Sequence, residues 1–298
     1  MRILSKLAAP AALLLAACAS AGPAPAPAIA DAKPALWKLA DADTTIYLFG
    51  TIHALPPAYK WRDAKLNAAF AKADTLVLEA ILDPDPAKSS ALLLGMGRTA
   101  GLPPLIDRVP EAKRAALAGI IARSKLPITF LNGMETWSAA LMLVGVTLGD
   151  LGIGPDEGVE HKLEAEFRAA GKPVDGLETA AQQLGYFDAL SEEGQREFLL
   201  TLLDDPNKAK EDFNKMLKAW SRGDEAGIAA SFDDEIELSP RLREILLVKR
   251  NATWADWLTK RLDKPGTILV AVGAGHLAGP SSVRTMLAAR GYKVERVQ

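Results

Sequence analysis

The chain has 298 residues, with 35 Lys+Arg against 37 Asp+Glu, three His and one Cys. A net charge of −2 lacks the basic excess that nucleic-acid binding draws on, and a single cysteine excludes a disulfide framework or a Cys-rich zinc or iron–sulfur centre. An apolar fraction of 49% beside 24% charged residues is the balance of a globular chain long enough to bury a real core.

The first 21 residues read as an export signal. Arg2 and Lys6 supply the positive start, and the apolar run Leu7 to Ala17 is too short to span a bilayer. The run ends in Leu15-Ala16-Ala17-Cys18, which looks like the lipobox of bacterial lipoproteins, with Cys18 as the lipid anchor. Cleavage after Ala19-Ser20-Ala21 satisfies the small-x-small rule equally well, so a soluble periplasmic form stays open. Residues 22–35 are an Ala/Pro spacer, and one globular domain is expected over 36–298.

Within that domain, β-branched and apolar runs predict strands at Thr45–Phe49, Thr75–Leu78, Pro173–Leu177, Thr267–Val272 and Tyr292–Val297. Helical periodicity predicts helices over Asp63–Ala73, Pro86–Thr99, Pro110–Ser124, Thr136–Leu148, Glu157–Ala170, Thr179–Leu190 and Glu192–Leu203. It continues over Lys208–Arg222, Ala226–Asp234, Pro240–Lys249, Ala252–Leu262 and Ser281–Arg290. The expected fold class is α/β: a central mixed sheet, its strands near both chain ends, with a large helical insertion.

Polar residues recur at the strand ends. The first strand runs into Gly50-Thr51-Ile52-His53, the second ends at Glu79, the third at Glu178, and the fourth runs into Gly273-Ala274-Gly275-His276. In an open parallel sheet the carboxyl ends of the strands line one edge, where ligands bind. Parallel neighbours would therefore gather two imidazoles and two carboxylates, with a glycine before each His to let the backbone turn off the strand. Such a set suits a divalent metal with open positions for water and substrate, and a nearby Glu to take a proton. The plainer alternatives are a salt bridge for Glu79 and a helix-start carboxylate for Glu178. Gly158-Val159-Glu160-His161 repeats the spacing, but no strand precedes it, and His161 reads as a solvated helix residue. Arg250-Asn251 would suit a substrate carboxylate or an oxyanion, or else a helix junction with Asn251 as a cap. No Gly-x-Ser-x-Gly elbow, P-loop or His-Glu-x-x-His helix is present.

Leu48 to Pro56 and Val272 to Gly279 resemble the paired Gly-x-x-His signatures of the TraB/GumN (TraB/PrgY) family. Gly171 to Thr179, Arg250-Asn251 and Gly291-Tyr292-Lys293-Val294 fall where that family pattern has them, so the likeness covers nearly the whole mature chain. The family is related to the Tiki metalloproteases and, more distantly, to the erythromycin-esterase/ChaN-like superfamily. The resemblance implies a peptidase-type hydrolase with a divalent metal (Mn, Co or Zn) on His53, Glu79 and His276. Glu79, Glu178, Arg250 and Asn251 would serve in catalysis. Where the family often has Gly-hydrophobic-Asp, this chain has Gly158-Val159-Glu160, and no role is assigned to Glu160 or His161. The implied partner is a peptide or small molecule. The implied location is the periplasm, anchored at the outer membrane through Cys18. A peptide- or haem-binding protein and a metal-independent esterase are the competing expectations.

Overall fold

The computed structural model describes residues 31–298 except 57–58, 84, 151–157, 204 and 237–239, and only the backbone of 86, 206 and 232–236. The signal segment, Cys18 and most of the spacer lie outside the described residues. Among the described residues six strands form one sheet: β1 Leu36–Ala40, β2 Thr44–Thr51, β3 Thr75–Ile81, β4 Val174–Thr179, β5 Gly266–Gly273 and β6 Val294–Arg296. Their order is β4-β3-β5-β2-β1-β6. The strands β4, β3, β5 and β2 are parallel neighbours, while β1 is antiparallel to both β2 and β6. The sheet is therefore mixed, and its parallel members are the four strands whose ends carry the candidate site.

Side-chain alternation splits the core between the two faces of the sheet. Tyr47, Phe49, Leu76, Leu78, Leu269 and Ala271 face one layer, with Val159, Leu163 and Phe167 from the helix Val159–Ala169 and Phe70 from Ala64–Lys72. Ile46, Leu48, Val77, Ile268, Val270 and Val272 face the other, under Trp254, Ala255 and Leu258 of the helix Lys249–Arg261 and Val283 and Leu287 of Val283–Ala289. Burial on both sides is why these strands read as continuous apolar runs. The helices of residues 94–146 and 198–203 form an insertion with a core of its own around Leu105, Leu117, Leu131, Leu143 and Leu199. Its helix Thr136–Asp150 buries residues at its N-terminal half, and no helix among the described residues is long and apolar enough to cross a membrane.

Three expectations change. The strand β1 was not anticipated: five residues after a Pro-rich spacer give too short a pattern, yet Asp41 accepts the amide of Thr44 at 2.8 Å and turns the chain into β2. Glu178 does not open a helix. It lies in β4, and Thr179 is the cap of the following helix Ala180–Asp188, in a reciprocal box with Gln182. No junction breaks the chain at Arg250-Asn251 either. Helix runs from Pro240–Arg243 through a π-turn at Glu244–Val248 straight into Lys249–Arg261.

Candidate active site

The carboxyl ends of β2, β3, β4 and β5 converge on one polar cluster, buried except for the exposed His53 ring. Glu79 stands at its centre. Its Oε1 accepts the Gly273 amide at 2.7 Å, and both His53 Nε2 and His276 Nε2 lie 3.7 Å from that same oxygen. Its Oε2 accepts Arg250 Nη2 at 2.7 Å. Glu178 binds the other side of that guanidinium: Arg250 Nε donates to its Oε1 at 3.0 Å and Nη2 to its Oε2 at 3.0 Å. Trp254 Nε1 donates to Glu178 Oε1 at 2.8 Å, so both oxygens of Glu178 are engaged and it orients Arg250. Arg250 Nη1 donates to Leu246 O at 3.2 Å and lies 3.3 Å from His276 Nε2.

Each imidazole is oriented from behind. His276 Nδ1 is 2.6 Å from Asn251 Oδ1, and the Asn251 amide nitrogen donates to Ser281 O at 2.8 Å. With the Asn nitrogen committed, its oxygen accepts from Nδ1–H and leaves the His276 Nε2 lone pair facing Glu79. His53 Nδ1 is 2.7 Å from Glu160 Oε1, which turns its Nε2 the same way, and Thr51 Oγ1 donates to the same Glu160 oxygen. The Trp254 ring packs 4.4 Å from the His276 ring and 4.7 Å from Arg250 Cζ.

These contacts set the charges. Burial holds His276 down at about 3, so it is neutral at pH 7. The charge of Glu160 raises His53 to about 9, helped by the hydrogen bond between them and by Glu79. Burial alone would raise Glu79; His276, His53 and Arg250 outweigh it and hold the carboxyl at about 2. Because His276 is neutral at pH 7, the depression there rests on His53, Arg250 and the Gly273 amide.

The glycines act by close approach, not by an unusual turn. Gly273 has φ −49 and ψ 135, open to any residue. A Cβ there would stand 3.0 Å from His53 Nε2 and 3.1 Å from Glu79 Oε1. A Cβ at Gly50 would meet the Ala274 Cα at 3.1 Å, and one at Gly158 the His53 carbonyl oxygen at 2.6 Å.

The structure thus brings together His53, Glu79, Glu178, Arg250, Asn251 and His276. It leaves His161 exposed on its helix. Sequence reasoning missed Glu160, Trp254 and Thr51 as site residues. The repeated Gly-x-x spacing at Gly158 was a signal for Glu160, although the group that matters is the carboxylate and not the histidine after it.

Among the described residues no three His, Cys, Asp or Glu side chains are arranged to hold a metal as they stand. Donors about 2.1 Å from a tetrahedral ion lie about 3.4 Å apart. The two 3.7 Å separations at Glu79 are therefore a few tenths of an ångström wide. Once His53 has given up its proton, the donor chemistry fits a divalent cation: two Nε2 lone pairs and a carboxylate oxygen, each held by a partner behind it.

The model of the TraB/PrgY/gumN family matches residues 35–296. The chain belongs to this family. The uncharacterized protein YbaP of Escherichia coli K12 is 26% identical over 249 residues, covering 81% of this chain and 87% of that protein. The YbaP of Shigella flexneri matches to the same extent. No solved structure matches the chain.

Proposed function

We propose that this family member is an exported, metal-dependent hydrolase acting on peptides, of the erythromycin-esterase/ChaN-like superfamily. The supporting observation is that His53 Nε2 and His276 Nε2, each fixed through its Nδ1, face one oxygen of Glu79 at 3.7 Å. His53, Glu79 and His276 would hold the cation (Mn, Co or Zn), which would supply Lewis acidity to a scissile carbonyl and acidify a water. The chain's own residues then divide the remaining work. Arg250, cationic and buried, aims Nη1 into the same space and donates to the oxyanion as the carbonyl is attacked. Glu178 and Trp254 hold that guanidinium, and Asn251 holds the His276 tautomer. Glu79, ionised at neutral pH, would balance the charge of the cation while its Oε2 keeps Arg250 in place.

Metal analysis and titration calorimetry of the purified mature domain with Mn²⁺, Co²⁺ and Zn²⁺ test the reading. Stoichiometric uptake is expected, lost in His53→Ala and in His276→Ala; unchanged metal in both variants would remove the ligand assignment. Export and lipid attachment at Cys18 belong to the same proposal. A Cys18→Ser chain should leave the membrane fraction for the soluble periplasm.

One observation favours a second reading, a metal-independent esterase: Arg250 Nη1 already lies 3.3 Å from His276 Nε2, putting a cation where the metal would bind. Ester turnover that survives exhaustive chelation would select it.

A further inference from the structure

Glu160 lies outside the metal donor set and outside the Arg250–Glu178 pair, yet three separate contacts fasten its helix to the His53 segment. The Val159 amide donates to Ile52 O at 3.1 Å. The Cα of Gly158 packs so closely on the His53 carbonyl that a Cβ would stand 2.6 Å from its oxygen. The Glu160 carboxylate then reaches back over the strand end, 2.7 Å from His53 Nδ1, and accepts from Thr51 Oγ1. Its side chain is only 16% exposed, whereas that of His53 is 66% exposed. An imidazole that open is not oriented by packing. A mostly buried carboxylate, by contrast, needs committed donors, and the hydrogen bonds found for this one come from Thr51 and His53.

We propose that Glu160 is a positioning residue that fixes the His53 ring and tautomer, with Thr51 and Gly158 setting where its carboxylate sits. The proposal deepens the hydrolase reading and rests on it for its consequence in metal affinity, though not for the tautomer itself. In the neutral ring, with Nδ1–H donated to Glu160, the Nε2 lone pair is turned to Glu79. Without that acceptor the neutral ring relaxes toward the Nε2–H form that an unpartnered histidine favours, and the exposed ring rotates freely. Carboxylates behind metal-bound histidines typically change metal affinity about 10- to 100-fold when removed. The site would then be assembled from both layers of the fold: Asn251 orients His276 from the helix on one face of the sheet, and Glu160 orients His53 from the helix on the other.

The test uses the mature chain and its Glu160→Ala, Glu160→Gln and Thr51→Val variants. Long-range ¹H–¹⁵N spectra of the metal-free protein at pH 10 read the His53 tautomer, and calorimetry reads Mn²⁺ affinity. Wild type should be mainly the Nδ1–H form. Glu160→Ala should lose that preference and bind Mn²⁺ about 10- to 100-fold more weakly. Glu160→Gln keeps an acceptor oxygen and should restore the tautomer; Thr51→Val should move in the direction of Ala but less far. If Glu160→Ala does not fold, the Gln and Val variants carry the comparison. A wild-type tautomer that is mixed, or one unmoved in Glu160→Ala, overturns the proposal. If wild type takes up no Mn²⁺ while the tautomer still follows Glu160, the positioning role stands and the metal reading fails.

Discussion

Replacing Gly273 by alanine separates folding from ligand geometry. The backbone at φ −49 and ψ 135 accepts any residue, so the substitution strains no dihedral, and the amide that donates to Glu79 remains. The effect comes from the added methyl, 3.0 Å from His53 Nε2 and 3.1 Å from Glu79 Oε1. Ordinary contact begins near about 3.5 Å, so each group must retreat by about half an ångström. Glu79 is held by Arg250 and the Gly273 amide; His53, 66% exposed, gives way first. Overpacking costs about 1–3 kcal/mol where neighbours are locked. With a mobile neighbour, and about 0.5–1 kcal/mol regained on replacing a strand glycine, the net should lie within about 1 kcal/mol. That is a melting shift of no more than about 2–4 °C for a chain of this size. The donor set needs to close by a few tenths of an ångström to hold a cation, and the methyl drives it the other way. Mn²⁺ affinity should therefore fall at least about tenfold, the scale seen when a ligand loses its orientation. Differential scanning fluorimetry and calorimetry on the same preparation decide it. A folded Gly273→Ala protein with wild-type affinity would refute the close-approach argument, and so would one that unfolds outright. Gly50→Ala is the internal contrast. Its methyl meets the Ala274 backbone, which cannot swing aside, so it should cost the full about 1–3 kcal/mol.

Three further outcomes are expected from the same geometry. Arg250→Met leaves Glu79 and Glu178 as buried carboxylates without their cation, and should cost about 3–5 kcal/mol in urea unfolding, the range for breaking one side of a buried ion pair; a loss under about 1 kcal/mol would mean the cluster is better hydrated than its burial implies. Stability should fall with acid in two stages. The unfolded chain takes up a proton on His276 below about 6.5 that the folded chain refuses until about 3, and on Glu79 below about 4.5 that the folded chain refuses until about 2. His53 works oppositely: raised from 6.5 to about 9, its contribution is complete below 6.5 and is lost as pH rises through 9. Urea midpoints from pH 3 to 10 should show this, and His276→Gln should flatten the slope between pH 6.5 and 4.5; an unchanged slope would show that His276 is not buried neutral. Mn²⁺ at a hundred times its Kd should stabilise the mature domain by about 2.7 kcal/mol, with protons released on binding because His53 must give one up; a melting temperature indifferent to all three metals would count against the site.

The sheet was legible where burial on both faces leaves an unmistakable apolar run. Thr267–Val272 falls within one residue of the observed strand at each end, and Thr75–Leu78 starts with its strand and stops three residues short. Their pairing as parallel neighbours could be argued from the residues at their ends, because polar residues after four apolar runs have little reason to recur unless the runs share an edge. The short β1 carried no such signature. Its two faces are covered from both layers of the core, a fact of tertiary packing that five residues cannot announce. The continuity of the helix through Arg250 was hidden for a related reason. The π-turn at Glu244–Val248 shifts the phase of the apolar pattern by about one residue, and a phase shift looks like a break when read along the sequence.

In the site, the histidines and carboxylates could be read because each lies within three residues of the end of its own strand, whereas Glu160 lies 109 residues from Thr51 and begins a helix that no strand introduces. Its clue is the glycine two residues earlier, which the sequence alone attaches to His161. All three Gly-x-x-His glycines turn out to meet one another's segments: Gly50 against Ala274, Gly273 against His53 and Glu79, Gly158 against the His53 carbonyl. A glycine that frees its own backbone explains only its own turn, so three of them would be three unrelated turns. Glycines that admit a neighbour come in sets, because each close approach ties two segments, and the segments tied here are those that carry the candidate ligands and the carboxylate behind one of them. The spacing is therefore better read as a mark of segments packed backbone to backbone around a site than as a mark of the histidine itself, and His161, which has the spacing but sits exposed on its helix, is the case that distinguishes the two.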